Sequence, residues 1–299
     1  MPTHVLKVDP DHSQLRLDVY LAQNLSDVPS RTFVKRLIEA GQVSINKKTA
    51  KANQKVVSGD AVVVELSALP QDENIAPENI PLDIVYEDEN LLLVNKPSGL
   101  LVHPVNAQNT SGTLVNALLH HCKTLSSVNA ETRPGIVHRL DRETSGLLLV
   151  AKDNKTHTKL AKQFERHEIK KQYLALVEGK VEFDEGVVDA ALGKHPRYYD
   201  RKKISFDDAA KEATTFYKVK RRFKNKTLVA LFPQTGRTHQ LRVHMAHLGH
   251  PILGDDKYGK KDSFPRLALH AQGIGFVHPH SNQYMEFLVK PPQEFLQLD

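Results

Sequence analysis

One run of charged and hydroxyl residues interrupts two apolar stretches: Gly135-Ile136-Val137-His138-Arg139-Leu140-Asp141-Arg142-Glu143-Thr144-Ser145-Gly146-Leu147. Loops held between rigid strands are where catalytic groups gather. Asp141 offers a carboxylate there, as base or nucleophile; as a turn or capping residue it would carry no chemistry, and the run alone does not choose. A second run, Pro233-Gln234-Thr235-Gly236-Arg237-Thr238-His239-Gln240-Leu241-Arg242-Val243-His244, takes the chain from a strand into a helix. Backbone N–H groups at such a junction, with Arg237, make an anion site for a phosphate or a protein carboxylate. The competing reading is an ordinary helix cap with a surface arginine. A third run, Lys96-Pro97-Ser98-Gly99-Leu100-Leu101-Val102-His103-Pro104, is a Pro/Gly-punctuated loop after a strand and says little by itself.

Metal and thiol chemistry fit less well. His244, His247 and His250 lie close in sequence, but no HExxH pattern or cysteine cluster accompanies them. Cys122, the single cysteine, closes an apolar helical segment where a buried structural thiol is the common case. No metal is expected.

The elements that must position these groups follow from periodicity. Residues 84–96 read as two strands around a turn, and 146–152, 171–179, 214–223 and 226–233 as strands. Residues 113–121 read as a helix, 154–167 as a helix capped by Asp153 or Asn154, and 238–249 as a helix opening at Thr238 and closing at Gly249. Nearer the N-terminus, Ser30 precedes a helix over 31–40 ended by Gly41, with Phe33, Val34, Leu37 and Ile38 as its buried stripe. Arg31 and Lys35 are four apart on its exposed side, with Arg36 beside them. Val43 to Ile45 and residues 61–65 read as strands. Between the two regions, residues 69–82 hold three prolines and three acids and no apolar periodicity, which predicts a linker.

With 299 residues, 40% of them hydrophobic, the chain can bury more than one core. No apolar run reaches membrane-spanning length and the N-terminus lacks a signal-peptide core, so no membrane role is expected. One cysteine excludes an internal disulfide framework and fits a reducing cytoplasm. A formal charge of +6 leans towards polyanionic partners without proving one.

Taken together, the three runs resemble the RluA family of pseudouridine synthases. His138-Arg139-Leu140-Asp141 with Thr144-Ser145-Gly146-Leu147 carries the strongest match. Lys96-Pro97 through His103-Pro104, Thr235 to Gln240 with Gly254-Asp255 and Tyr258-Gly259, and Leu269-His270-Ala271 follow in the family's order. Residues 14–66 resemble the S4-type RNA-binding domain. The combination, with the stretch 193–203, is similar to the branch that acts on large-subunit ribosomal RNA, the RluD-like type. The resemblance implies an α+β fold: a pseudouridine synthase domain over 83–298 with a mixed, largely antiparallel sheet, an S4-like domain over 14–66, and a linker over 67–82. It implies Asp141 as the catalytic aspartate, Tyr173 as the tyrosine packing on the uracil, and Arg237 as the aspartate's partner. Arg139 would fill the gap left by the extruded base, Leu241 would form an apolar wall, and Arg31, Lys35 and Arg36 would contact RNA.

That chemistry suits these residues. Breaking a nitrogen–carbon glycosidic bond and remaking it through carbon 5 requires the nucleotide to leave the stack. One ionised carboxylate can attack the sugar or remove a sugar proton, and no redox step calls for a cofactor. A glycoside hydrolase would want two carboxylates, and Glu143, two residues along a loop, is a poor second. The expected partner is RNA, large-subunit ribosomal RNA or ribosomal precursor particles, met by a cytoplasmic monomer. The competing functions are a non-catalytic RNA-binding assembly protein, a transfer-RNA-specific synthase and a metal-dependent hydrolase.

Overall fold

The computed structural model describes residues 3–25, 31–65, 75–104, 110–128 and 133–296; the side chains of residues 31–33 and 36 lie outside that description. The chain divides into two compact units, residues 1–74 and 75–299.

The first unit opens on β1 (Thr3–Lys7), followed by α1 (Leu17–Asn24), α2 (Arg31–Glu39), β2 (Val43–Ile45), β3 (Lys48–Thr49) and β4 (Ala61–Glu65). Its antiparallel sheet runs β1-β4-β2-β3. Asn46 and Lys47, both at positive φ, make the two-residue turn between β2 and β3. Val34, Leu37 and Ile38 of α2 are buried against Leu17, Tyr20 and Leu21 of α1 and Val62 and Val64 of β4. Phe33 and the capping Ser30 lie outside the described residues. Because β1 completes this sheet, the unit starts well before residue 14.

The second unit holds β5 (Ile84–Glu87), β6 (Leu91–Lys96), α3 (Leu114–His121), β7 (Ser145–Ala151), α4 (Asn154–Glu165), β8 (Lys170–Glu178), β9 (Glu185–Asp189), β10 (Leu192–Lys194), β11 (Lys202–Ile204), β12 (Thr214–Arg222), β13 (Lys226–Pro233), α5 (Gln240–His247), β14 (Leu269–Val277) and β15 (Tyr284–Leu288). Asp153 caps α4, accepting from Thr156 N–H. The predicted linker ends sooner than its composition suggested. Residues 75–82 belong to this unit: Asn116 donates to the Ala76 carbonyl, Glu78 N–H donates to the Asn116 carbonyl, and Ile75 and Leu82 pack on the α3 core. An extended strap can bury side chains without showing any period. Residues 67–74 lie outside the described residues.

Nine strands form one sheet in the order β5-β6-β7-β14-β8-β13-β12-β9, with β15 joining β14; β10 and β11 make a separate hairpin. Every pairing is antiparallel except β7 with β14. One cross-strand row reads Lys96, Gly146, Ala271, Tyr173, Leu231. Four of the separate sequence signatures therefore meet on adjacent strands. The parallel contact is very close: a side-chain carbon on Gly146 would lie 2.2 Å from the Ala271 carbonyl oxygen, and Gly146 has φ +114°. Replacing Gly146 by Ala is expected to cost about 3 kcal/mol or more. Urea unfolding measures it, and an unchanged midpoint would refute the close packing.

Three histidines of the signature runs are structural. His138 stacks on Phe164 and its Nε2 accepts the Leu149 N–H at 2.9 Å, which docks the loop onto β7. Burial, then the charge of Lys171, pushes its pKa down to about 3. Burial, then nearby arginines, pushes His103 and His270 down to about 4. The unfolded chain takes a proton on each ring below about 6.5, whereas the folded chain resists until 3 to 4. Stability should therefore fall as pH drops through that window, each ring contributing about 1.4 kcal/mol per pH unit. His138→Asn keeps an acceptor for Leu149 but cannot titrate. Its unfolding free energy should decline less steeply from pH 6.5 to 4, and parallel curves would contradict the assignment.

Candidate active site

The loop that carries Asp141 is braced by the loop after β6. The Lys96 ammonium, 1% exposed, donates to three carbonyls: Pro97 at 2.8 Å, Leu100 at 2.8 Å and Arg142 at 3.0 Å. Gly99 N–H donates to the Arg142 carbonyl, and the Ser98 hydroxyl donates to that of Glu143. A buried ammonium satisfied by three carbonyls is a rigid clip, and it explains why a Lys-Pro-Ser-Gly loop accompanies the Asp141 loop. Thr144 N–H closes the turn onto the Asp141 carbonyl.

Asp141 projects into a cleft of about 510 Å³, counting its open mouth, lined by Arg139, Leu140, Lys171, Tyr173, Arg237, His239, Leu241, Arg242 and Leu269 among others. Its side chain is 23% exposed. The cation paired with it is Arg242, whose guanidinium lies 3.6 Å from the carboxylate; His239 Nε2 follows at 3.8 Å. Arg237 does not form the expected pair. It lines the same cleft, but its Nε donates to the Glu212 carbonyl at 3.0 Å. The two arginines are five residues apart, one on the loop and one on α5, and only the second faces the carboxylate.

Arg242 is itself held from behind. It makes a two-pronged pair with the fully buried Asp255 at 2.8 and 2.7 Å and reaches Asp256 at 3.1 Å. Burial opposes its charge, but the hydrogen bonds and charge of Asp255 more than offset this and hold the guanidinium above its ordinary pKa. Asp255 also accepts the N–H groups of Lys257 and Tyr258, which with Arg242 outweigh its own burial and hold it below the carboxylate range. The signal available in the sequence was a charge flanked by Leu241 and Val243 on a helix, since a buried charge demands a partner.

The helix starts later than expected. His239, not Thr238, occupies the N-cap, in left-handed conformation with φ 59°. Gln240, 4% exposed, organises the turn: its Oε1 accepts from the Thr235 hydroxyl at 2.7 Å and Arg237 N–H at 3.0 Å, while its Nε2 donates to the Thr214 carbonyl and Thr215 hydroxyl. Gln240 thus positions the loop, a role the sequence reading did not give it. The Tyr258 hydroxyl accepts from Lys202 N–H and lies 2.9 Å from His239 Nδ1, so it can donate there, leaving the proton of the neutral ring on the Nε2 that faces Asp141.

Tyr173, half-buried on β8, lines the cleft, and burial together with the charge of Asp141 raises its phenol well above the ordinary value, so it stays neutral. Arg139 is exposed at the cleft and Leu241 is a buried wall. Lys171, which the sequence reading passed over, donates to the Thr235 carbonyl at 3.1 Å, and burial, then Arg237, pushes its pKa down to about 8. His244 is taken up by Thr215 and the Ala190 carbonyl, and His250 by the Glu178 carbonyl. In the first unit Lys35 lies 3.9 Å from buried Asp18, while the side chains of Arg31 and Arg36 are outside the described residues.

The sequence and fold match known proteins. Residues 90–247 match the RNA pseudouridylate synthase family, and residues 15–62 match the S4 domain. The chain is 42% identical to ribosomal large subunit pseudouridine synthase D of Zymomonas mobilis over 98% of this chain and 96% of that one. It is also 42% identical to the protein of the same name from Nitrosomonas europaea, over 94% of this chain and 82% of that one. Among solved structures, human RNA pseudouridylate synthase domain containing 1 is similar with a TM-score of 0.59 and 27% identity, covering 72% of this chain and 85% of that one. On fold and sequence alike, the chain belongs to the RNA pseudouridylate synthase family and is an RNA pseudouridine synthase with an N-terminal S4 domain.

Proposed function

We propose that the enzyme isomerises specific uridines of large-subunit ribosomal RNA, acting as a cytoplasmic monomer on the RNA or on ribosomal precursor particles. Relatives named for the large ribosomal subunit, 42% identical over nearly the whole chain, support that substrate. One observation carries the catalytic assignment: the Asp141 carboxylate is the acid in a cleft whose other charged lining groups are cations or a histidine.

The target nucleotide flips out of its stack into the cleft, at a cost of about a few kcal/mol. Arg139, exposed at the lining, occupies the gap it leaves, and phosphate contacts offset the rest. Tyr173 packs on the uracil and, being neutral, offers an apolar ring face with no charge to draw water. Leu241 and Leu269 extend that wall and limit hydrolysis of the sugar once the base is detached. The carboxylate attacks the sugar carbon or removes a sugar proton; either route needs a charged oxygen beside a fixed positive group, which Arg242 supplies. The detached uracil turns within the cleft and rejoins the sugar through carbon 5, displacing any bond to the carboxylate; carbon 5 then gives up its hydrogen as a proton, and the freed nitrogen takes up a proton. Arg237 contributes an anion contact at the rim in place of pairing with Asp141. In the S4 domain, Arg31, Lys35 and Arg36 are the residues assigned to RNA contact.

Release of tritium from RNA labelled at uracil carbon 5 reads the reaction directly. Asp141→Asn should lower it more than about a thousandfold while RNA affinity stays near that of the unaltered enzyme. Retained turnover would end the assignment. Removing residues 1–74, which have a core of their own, should weaken RNA binding and flatten its dependence on salt. Equal salt slopes would show that this unit makes no phosphate contacts.

A further inference from the structure

Beyond Gly236 and Arg237 lies a second cavity of about 540 Å³, counting its open mouth, lined by Leu192, Lys202, Lys211, Gly236, Arg237 and Thr238. Gly236 and Arg237 also line the catalytic cleft, so the two spaces share a wall. The second cavity has three cations and no acid in its lining. Several other cations of this unit are matched: Lys257 with Asp200 at 2.6 Å, Lys260 with Glu178 at 2.8 Å, Arg266 with Glu294 at 2.8 Å, Arg242 with Asp255. Among the described residues none of Lys202, Lys211 and Arg237 has a carboxylate within 4.0 Å. Arg237 is instead held by a backbone carbonyl, which fixes its direction and leaves its charge uncompensated. Three positive groups converging on one space without a counter-charge repel each other unless an anion joins them.

Continuity decides which anion. A side-chain carbon built on Gly236 meets nothing within 4 Å, so there is open space beside the wall that the two cavities share. Whatever enters the cleft as a nucleotide drags its own sugar–phosphate chain behind it. Resting on the nucleotide reading of the cleft proposed above, we infer that the cavity formed by Lys202, Lys211 and Arg237 binds an RNA phosphodiester adjacent to the flipped uridine. The site works as an anchor: it holds the backbone on one side of the target so that rotation about that backbone delivers the base to Asp141. The hairpin β10–β11 supplies Lys202, and the backbone N–H of that residue is fixed by Tyr258, the same hydroxyl that orients His239. The anchor strand and the histidine that faces Asp141 are thereby set by one side chain.

The test uses the full chain and a tritium-labelled RNA that it modifies. The double variant Lys202→Gln, Lys211→Gln should raise KM about tenfold, with the loss appearing in KM and not in kcat. The slope of log affinity against log salt should shrink by about 0.7 for the single phosphate contact removed. Lys203→Gln, on the same strand but outside the cavity lining, serves as the control and should move neither. A single neutral methylphosphonate placed in turn at the linkages flanking the target should reproduce the defect at one of them, and at that linkage should cost the double variant nothing further. If KM and salt slope match the unaltered enzyme, or if the neutral linkage and the lysine changes weaken binding independently at every position, the anchor is wrong. Absence of tritium release from the unaltered enzyme would instead defeat the catalytic reading, and the salt slope and linkage scan of RNA binding would still decide on the cavity.

Discussion

The guanidinium of Arg242 sits on a helix between two apolar neighbours, almost without solvent, and would not stay there unpaired. Asp255 takes two of its N–H groups, Asp256 a third contact, and what is left of its charge is turned towards Asp141. Losing one member of such a buried pair costs about 3–5 kcal/mol because the other is left stranded. Asp141 and Asp256 are thus the partly exposed ends of a charge chain whose middle, Arg242 and Asp255, is buried. The orientation of Asp141 relative to α5 depends on a loop more than ten residues further along the sequence, and Asp255 is as much a part of the cleft as any residue that lines it.

From the other side, the Asp141 loop is held by Lys96 and its three carbonyls. The two supports differ in kind. Lys96 fixes main chain through an ammonium with no carboxylate within 4 Å, so it sets shape; Arg242 fixes a side chain through charge, so it sets direction and potential. His138 adds a third fastening by taking a β7 backbone N–H. Histidine and lysine beside an acid suggest proton transfer to anyone reading a sequence, yet here both are fasteners, and the chemistry is left to groups whose contacts are fewer.

Strongly periodic segments were readable in advance: the strands at 84–96, 146–152, 171–179 and 214–233, and the helices near 113–121 and 154–167. Asp141, Tyr173, Arg139 and Leu241 all line one cleft. What escaped reading had physical reasons. The strand β14 is buried on both faces over most of its length and broken by Gly273 and Gly275, so neither alternation nor propensity marks it. The hairpin β10–β11 and the strand β15 are short and half-exposed. The choice between Arg237 and Arg242 depends on which residue of a loop–helix junction turns inward, and that was set by the Gln240 side chain and a left-handed His239, both matters of tertiary contact. The proline-rich segment before residue 83 looked like a tether because an extended strap satisfies its polar groups one at a time.

Asp141 lies just ahead of β7, and Tyr173 lies on β8, yet these two strands never touch; β14 runs between them and pairs with both, Ala271 facing Gly146 on one side and Tyr173 on the other. Two strand spacings, about 10 Å, therefore separate the rows that bring acid and aromatic ring together. The strand that sets this spacing comes after both of them in the sequence. During translation the halves of the sheet emerge long before the piece that welds them, so a nascent chain exposes two incomplete edges and has no assembled cleft. The cleft, which Leu269 also lines, is therefore assembled only once β14 has been made.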